Sequence, residues 1–190
     1  MPDILYHYTS AEGLEGIIKR KELWATDIRF FSDSSEFQYT IDLARELSSQ
    51  RTENLEKRVL REILQYKETD TTFCAFCLSE EGDLLSQWRG YCPREGGCSL
   101  GFSGAAMRLS LLQQGYWLER CEYDCETQRD RVNELLNRAM RDFHQRDTGD
   151  GPVANRAKPI VPGFVRALSR VAATLKHPAF SEEARMEDRL

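Results

Sequence analysis

Val132, Leu135, Leu136, Ala139, Met140 and Phe143 recur at the i, i+3, i+4, i+7 spacing that lays apolar side chains along one face of a helix. Such a stripe has to be covered, so the fold must contain a helical layer with an apolar partner. Candidate partners lie on both sides in the sequence. Phe37, Ile41, Ala44 and Leu47 form one stripe, and Leu55, Val59, Leu60, Ile63 and Leu64 form the next. Together these two predict a helical hairpin. A later helix carries Phe164, Val165, Leu168, Val171, Ala172 and Leu175.

The N-terminal part reads differently. Residues 4–8 are a short apolar and aromatic run that predicts a first strand. Thr9-Ser10-Ala11-Glu12 has the form of a capping box, with Thr9 as N-cap and Glu12 reaching back, and a helix follows through Leu14, Ile17 and Ile18. Asp33-Ser34-Ser35-Glu36 repeats that start signal. Further strands are expected over residues 23–26, 72–78, 98–102 and 116–123. Short helices are expected from Asp83 through Trp88 and over residues 105–112. Strands and helices alternate irregularly, and there is no Gly-x-Gly-x-x-Gly or P-loop, so the pattern predicts an α+β fold over a doubly wound sheet.

At 190 residues, with 41% hydrophobic content, the chain suits a single domain over 1–190. Residues 146–160, rich in Gly, Pro and polar side chains, predict a mobile loop, and residues 181–190 a charged tail. A net charge of −5 argues against a broad basic face for nucleic acid. No apolar run approaches the ~20 residues of a membrane helix. The opening Met1-Pro2-Asp3-Ile4-Leu5 lacks the pattern of a secretory signal, so a cytoplasmic protein without membrane partners is expected. Six cysteines then read as reduced thiols packed as small hydrophobes. Cys74 and Cys77 fall in an expected strand and not in the tight turn of a zinc knuckle, so no metal site is expected.

Three histidines restrict the choice of chemistry. His144 ends the long helix, where its position favours a positive charge, and His177 sits in a turn before Pro178. His7 lies inside an apolar strand, followed by two hydroxyl residues and a helix start, which fits either a ligand-binding histidine or a satisfied core one. Gly101-Phe102-Ser103-Gly104 falls one residue short of a nucleophile elbow. Trp88, Arg89 and Tyr91 offer flat rings and a forked cation to a ligand. Equally, Trp88 could be core and Arg89 paired with Asp83 or a nearby Glu. A single-stranded nucleic acid could also use these three residues, with strong salt dependence.

Leu5-Tyr6-His7-Tyr8-Thr9-Ser10, Leu23-Trp24-Ala25-Thr26-Asp27, Asp33-Ser34-Ser35-Glu36, Phe76-Cys77-Leu78-Ser79 and Trp88-Arg89-Gly90-Tyr91 resemble a bacterial family labelled domain of unknown function 2971. The strand with His7 and Thr9, and the helix ending in Ile17-Ile18-Lys19-Arg20-Lys21-Glu22-Leu23, are also similar to the opening of ADP-ribosyltransferase domains. That second resemblance implies a split mixed sheet with flanking helices, and NAD as substrate with no metal. It gives His7 the ribose of NAD, and Tyr8, Thr9 and Ser10 places beside it. An aromatic ring among Phe30, Phe31 and Tyr39 would stack on nicotinamide, with Phe31 the candidate, while Trp88 and Arg89 would hold the rest of the dinucleotide. A late glutamate, Glu183 or Glu187, would be the catalytic carboxylate, although the Phe180-Ser181-Glu182-Glu183 and Glu187-Asp188-Arg189 segments match the expected terminal strand only in part. The implied activity is ADP-ribose transfer to a protein, nucleic acid or small-molecule acceptor, or hydrolysis of NAD. A toxin or defence effector with a neutralising partner is the implied setting. The rival is a non-catalytic nucleotide- or partner-binding module on the same fold.

Overall fold

The computed structural model describes residues 2–27, 35–65 and 73–177. The chain combines helices with two small sheets, an α+β composition. Its contacts divide into two compact units. The N-cap expected at Asp33, the aromatic candidates Phe30 and Phe31, the carboxylates Glu183 and Glu187, and the charged tail all lie outside the described residues.

One unit is helical. It contains α2 (Ser35–Ser49), α3 (Asn54–Gln65), α6 (Cys125–Arg146), α7 (Val153–Ala157) and α8 (Val161–Ala172). All six residues of the expected α6 stripe are buried. They meet Leu43, Ala44 and Leu47 of α2, Val59, Leu60 and Ile63 of α3, and Phe164 and Leu168 of α8 in one core cluster. α2 and α3 pack as the expected hairpin. Side chains of this size each contribute up to about 1.5–3 kcal/mol when fully buried, so the stripe dominates the unit's stability.

A polar clamp passes through this apolar packing. Gln128 of α6 is fully buried. Its amide nitrogen donates to the carbonyls of Glu122 at 2.6 Å and Lys176 at 2.7 Å, while its oxygen accepts the Tyr39 hydroxyl at 2.6 Å. Those bonds fasten the strand-like crossing of Glu122 and Leu175, a single parallel bridge, to the start of α6. A strand was expected over residues 116–123; among the described residues its pairing is this one bridge at Glu122. The phenol ring of Tyr39, one of the candidate nicotinamide partners, stands edge-on to His177 at 5.5 Å.

The expected loop over residues 146–160 is corrected in its second half. Gly149 and Gly151 adopt positive φ (80° and 82°) and turn the chain. From Val153 onward it is helical, through α7 and a 3-10 turn at Lys158–Ile160, with Val153, Ala157 and Ile160 buried. Apolar residues at 153, 157 and 160 anchor what composition alone reads as a break. The Arg156 guanidinium grips the Asp147 carboxylate with two nitrogens, one at 2.6 Å, and holds that carboxyl below its usual range.

The second unit contains β1 (Ile4–Thr9), α1 (Ala11–Arg20), α4 (Leu85–Tyr91), β4 (Cys98–Ser103) and α5 (Gly104–Gln113). β1 and β4 pair antiparallel, with Ile4 opposite Ser103 and Thr9 opposite Cys98. The short strands β2 (Thr26–Asp27) and β3 (Cys74–Ala75) form the other sheet. Both are shorter than the runs at 23–26 and 72–78 led one to expect, since strand propensity without a matching partner does not make a ladder. None of the six cysteines is in a disulfide. Cys74, Cys77 and Cys125 are exposed and the other three half-buried, so the expectation of buried thiols is corrected.

Because Phe143 is fully buried against its neighbours in α6 and under the Arg156 guanidinium, Phe143→Ala is expected to cost about 3–5 kcal/mol. Urea unfolding followed by circular dichroism at 222 nm would read this loss as a lower midpoint with an unchanged slope.

Candidate functional site

β1 is the frame of the candidate site. On one edge it pairs with β4; on the other, Tyr6 exchanges two backbone hydrogen bonds with Ser79, both 2.8 Å. A strand held on both edges fixes the direction of its side chains, and successive residues point to opposite faces.

Tyr6 and Tyr8 share one face. Tyr8 is buried, and its hydroxyl donates to the Glu81 carbonyl at 2.7 Å and accepts the Leu84 amide at 2.9 Å. The Trp88 ring meets it edge-on at 5.0 Å, and the Trp88 indole nitrogen donates to Asp83 at 2.8 Å. Gly82 lies so close to Tyr6 that a Cβ there would sit 2.6 Å from its ring, which is why the 81–84 turn can approach the strand. The short helix expected from Asp83 starts later: Leu84 is the cap residue of α4, and Asp83 receives the indole. The signal for that pair is only a spacing of five residues, which sequence periodicity does not weigh.

His7 points the other way. Its ring lies 4.3 Å from that of Phe76, tilted by 35°, and Nδ1 makes a long 3.4 Å contact with the Cys77 carbonyl. The histidine is half-buried. Desolvation lowers its pKa below the ordinary 6.5, partly opposed by the Cys77 carbonyl, so the neutral imidazole is favoured near pH 7. With the proton on Nδ1 facing Cys77, Nε2 carries a lone pair and can accept a hydroxyl proton from a ligand.

Thr9 and Ser10 join β1 to α1. The helix cap is Ser10, one residue beyond the expected Thr9: its hydroxyl accepts the Gly13 amide at 3.1 Å. Thr9 packs directly over Gly13, where a Cβ would collide with its side-chain oxygen. The Glu12 carboxylate, held below its usual range by its own backbone amide and by the Ser10 hydroxyl, sits on the positive end of α1. At the far end of the strand the Thr9 carbonyl faces the Cys92 thiol at 3.6 Å, and Gly97 leaves room for that approach.

The expected site residues therefore fall into two sets. His7 lies on one face of β1 beside Phe76. Tyr8 and Trp88 lie on the other and hold the 81–84 turn. Arg89, in the last turn of α4, is exposed and forms no ion pair among the described residues, so the pairing with Asp83 considered from sequence is not made. Phe76 and Ser79 were not singled out as site residues, although both lie in the quoted 76–79 motif.

Two outcomes follow from this geometry. Tyr8→Phe strips the buried Leu84 amide and Glu81 carbonyl of their shared partner and is expected to destabilise the protein by about 1–3 kcal/mol in denaturant unfolding. In an NMR titration the His7 ring should protonate at a pH below 6.5. Since the folded value lies below the unfolded one, this group lowers stability as pH falls through 6.5 and has no effect well above it. His7→Gln should flatten that part of the stability profile.

Comparison with known sequences bears on the same region. A family model described as "Protein of unknown function (DUF2971)" matches residues 87–186. Of the motifs that suggested the family, Trp88-Arg89-Gly90-Tyr91 is the one inside that span, together with the whole of α6 and α8. No curated protein and no solved structure matches the chain. More than half of its length is thus covered by one model, and the chain belongs to the DUF2971 family.

Proposed function

We propose that this chain binds NAD beside β1 and cleaves its nicotinamide–ribose bond, passing ADP-ribose to an acceptor or to water. The observation that carries the reading is the half-buried His7, its Nδ1 against the Cys77 carbonyl and its neutral ring favoured by desolvation, on the strand that leads into the Ser10 cap of α1. A ribose hydroxyl is a donor of matching polarity, and the flat Phe76 ring beside His7 offers an apolar surface to a sugar or base.

The chemistry balances without a redox step. The C1′–N bond breaks, and nicotinamide leaves with the electron pair. An acceptor nucleophile or water then bonds to C1′ and gives up its proton. Positive charge develops on the ribose along the way, and a carboxylate stabilises that charge more in the transition state than in the ground state. Glu183 and Glu187 are the candidates for this carboxylate. Arg89, which forms no ion pair among the described residues, is the candidate for the pyrophosphate. An ADP-ribosyltransferase-like sheet and a toxin or defence role accompany this reading.

A second reading has its own support. Tyr8 and Trp88 spend their polar groups on the protein itself, leaving fewer groups for a ligand than the sequence promised. A non-catalytic nucleotide- or partner-binding module fits that economy.

Nicotinamide release from NAD by the full-length protein, measured with His7→Ala, Glu183→Gln and Glu187→Gln variants, separates these readings. Transferase or hydrolase chemistry predicts release that falls at least about a hundredfold with His7→Ala and with one of the two glutamate variants. Saturable NAD binding without release in any sample would support the module. Absence of NAD binding by calorimetry would sink both the transferase reading and an NAD-binding module.

A further inference from the structure

Two cysteines of the unit around β1 approach the same backbone atom. Cys92 ends α4: its amide donates to the Trp88 carbonyl at 3.2 Å, and its thiol faces the Thr9 carbonyl at 3.6 Å. Cys98 opens β4 directly opposite Thr9. Tyr6 turns its backbone groups toward Ser79, so Leu5, His7 and Thr9 turn theirs toward β4. The Cys98 amide therefore points at the carbonyl that the Cys92 thiol also meets. Both cysteines are half-buried, whereas Cys74, Cys77 and Cys125 are exposed.

The turn between them folds the chain back toward Cys92. The Gly96 amide donates to the Pro93 carbonyl at 3.1 Å, and Gly96 takes a φ of 126°, a value that side chains rarely allow. Gly97 follows. A Cβ built on it would lie 2.4 Å from the Cys92 Sγ and 2.6 Å from the Cys92 Cβ. Position 97 is thus already against the Cys92 side chain, and Cys98 is the next residue. Consecutive Cα atoms are about 3.8 Å apart, which puts the Cys98 Cα no more than about 8 Å from the Cys92 Sγ. Bonding asks for an approach of a few ångströms. The two glycines supply the backbone freedom for it, and residues 93–96 are all exposed, so the turn can move without opening a core.

We propose that Cys92 and Cys98 are a redox pair that closes a disulfide by exchange with a small disulfide such as oxidised glutathione. The thiolate of one cysteine attacks a glutathione sulfur, forming a mixed disulfide and releasing one reduced glutathione. The thiolate of the other then attacks the protein-bound sulfur, which forms the Cys92–Cys98 bond and releases the second. Both cysteines are oxidised, one glutathione disulfide is reduced to two thiols, and the two cysteine protons leave with them. The bond ties the end of α4 to the first residue of β4, at the carbonyl that precedes the Ser10 cap of α1. In a reducing compartment a bond of this kind is transient and senses oxidation.

The test incubates the full chain with oxidised and reduced glutathione at a series of ratios, then blocks free thiols and digests with trypsin. Trypsin cuts after Arg94, between the two cysteines, so the bond is read as two joined peptides. The joined pair should appear as the ratio rises, and dithiothreitol should part it. Cys92→Ser and Cys98→Ser should keep the native circular dichroism, lose the joined pair and leave glutathione on the remaining cysteine. The equilibrium constant for closing the bond against glutathione should be at least about tenfold larger in the native chain than in urea, where only nearness along the sequence favours it. Recovery of Cys92 and Cys98 as separate thiols or separate glutathione adducts throughout the series overturns the proposal. So does a bond that forms no more readily in the native chain than in urea.

Discussion

Everything assigned to the candidate site hangs on the two-sided pairing of β1. Its bonds to β4 on one edge and Ser79 on the other fix the alternation that sends Tyr8 inward and His7 to the opposite face. An edge strand could slip by one residue and exchange those faces; a strand paired on both sides must break both ladders to do so. The Tyr8 hydroxyl reinforces the register, because only from this position does it reach both the Glu81 carbonyl and the Leu84 amide. The neutral His7 imidazole follows from the same constraint, since the desolvation that lowers its pKa comes from the packing its direction imposes.

The two units illustrate different ways of meeting the cost of ordering a chain. In the helical unit the stripe of α6 is covered by apolar side chains from several helices, and its few buried polar groups are largely matched: Gln128 uses both ends of its amide. The unit around β1 buries Leu5, Tyr8 and Leu84 but leaves Ile18, Trp24, Leu85 and the α5 side chains in solvent. Its order therefore leans more on backbone pairing and on hydrogen bonds to individual side chains. Groups held this way respond sharply to the loss of one partner, as the Tyr8 clamp does.

Helical periodicity in the sequence carried the helical unit. The stripes of α2, α3, α6 and α8 are long, and burial obeys them with few exceptions. What periodicity could not show is Gln128, because a glutamine inside a helix pattern reads as surface, and its partners at Glu122, Lys176 and Tyr39 come together only in the fold. The strands were legible where a long partner exists, at β1 and β4, and not at residues 23–26, 72–78 or 116–123, where pairing is limited to one or two residues. Around the site, the placement of a histidine within an apolar strand gave the half-burial of His7. The division of site residues between two faces of β1 was available from the period of two, but motif resemblance grouped them by proximity along the chain.

That division narrows the NAD reading. A neutral imidazole can accept from a sugar hydroxyl but supplies no charge to a pyrophosphate, so the cation must come from elsewhere. Trp88 is tied to Tyr8 and Asp83 and belongs to the scaffold of the opposite face. The positive end of α1 is already met by the Glu12 carboxylate. Arg89 is left as the group of this set with a charge to offer. The Ser10 hydroxyl accepts from Gly13 and donates to Glu12, so its one proton is committed and a single lone pair remains for a ligand group. A ligand group that required the Ser10 proton would have to displace the Glu12 carboxylate from it, and the charge at the start of α1 would then report on binding.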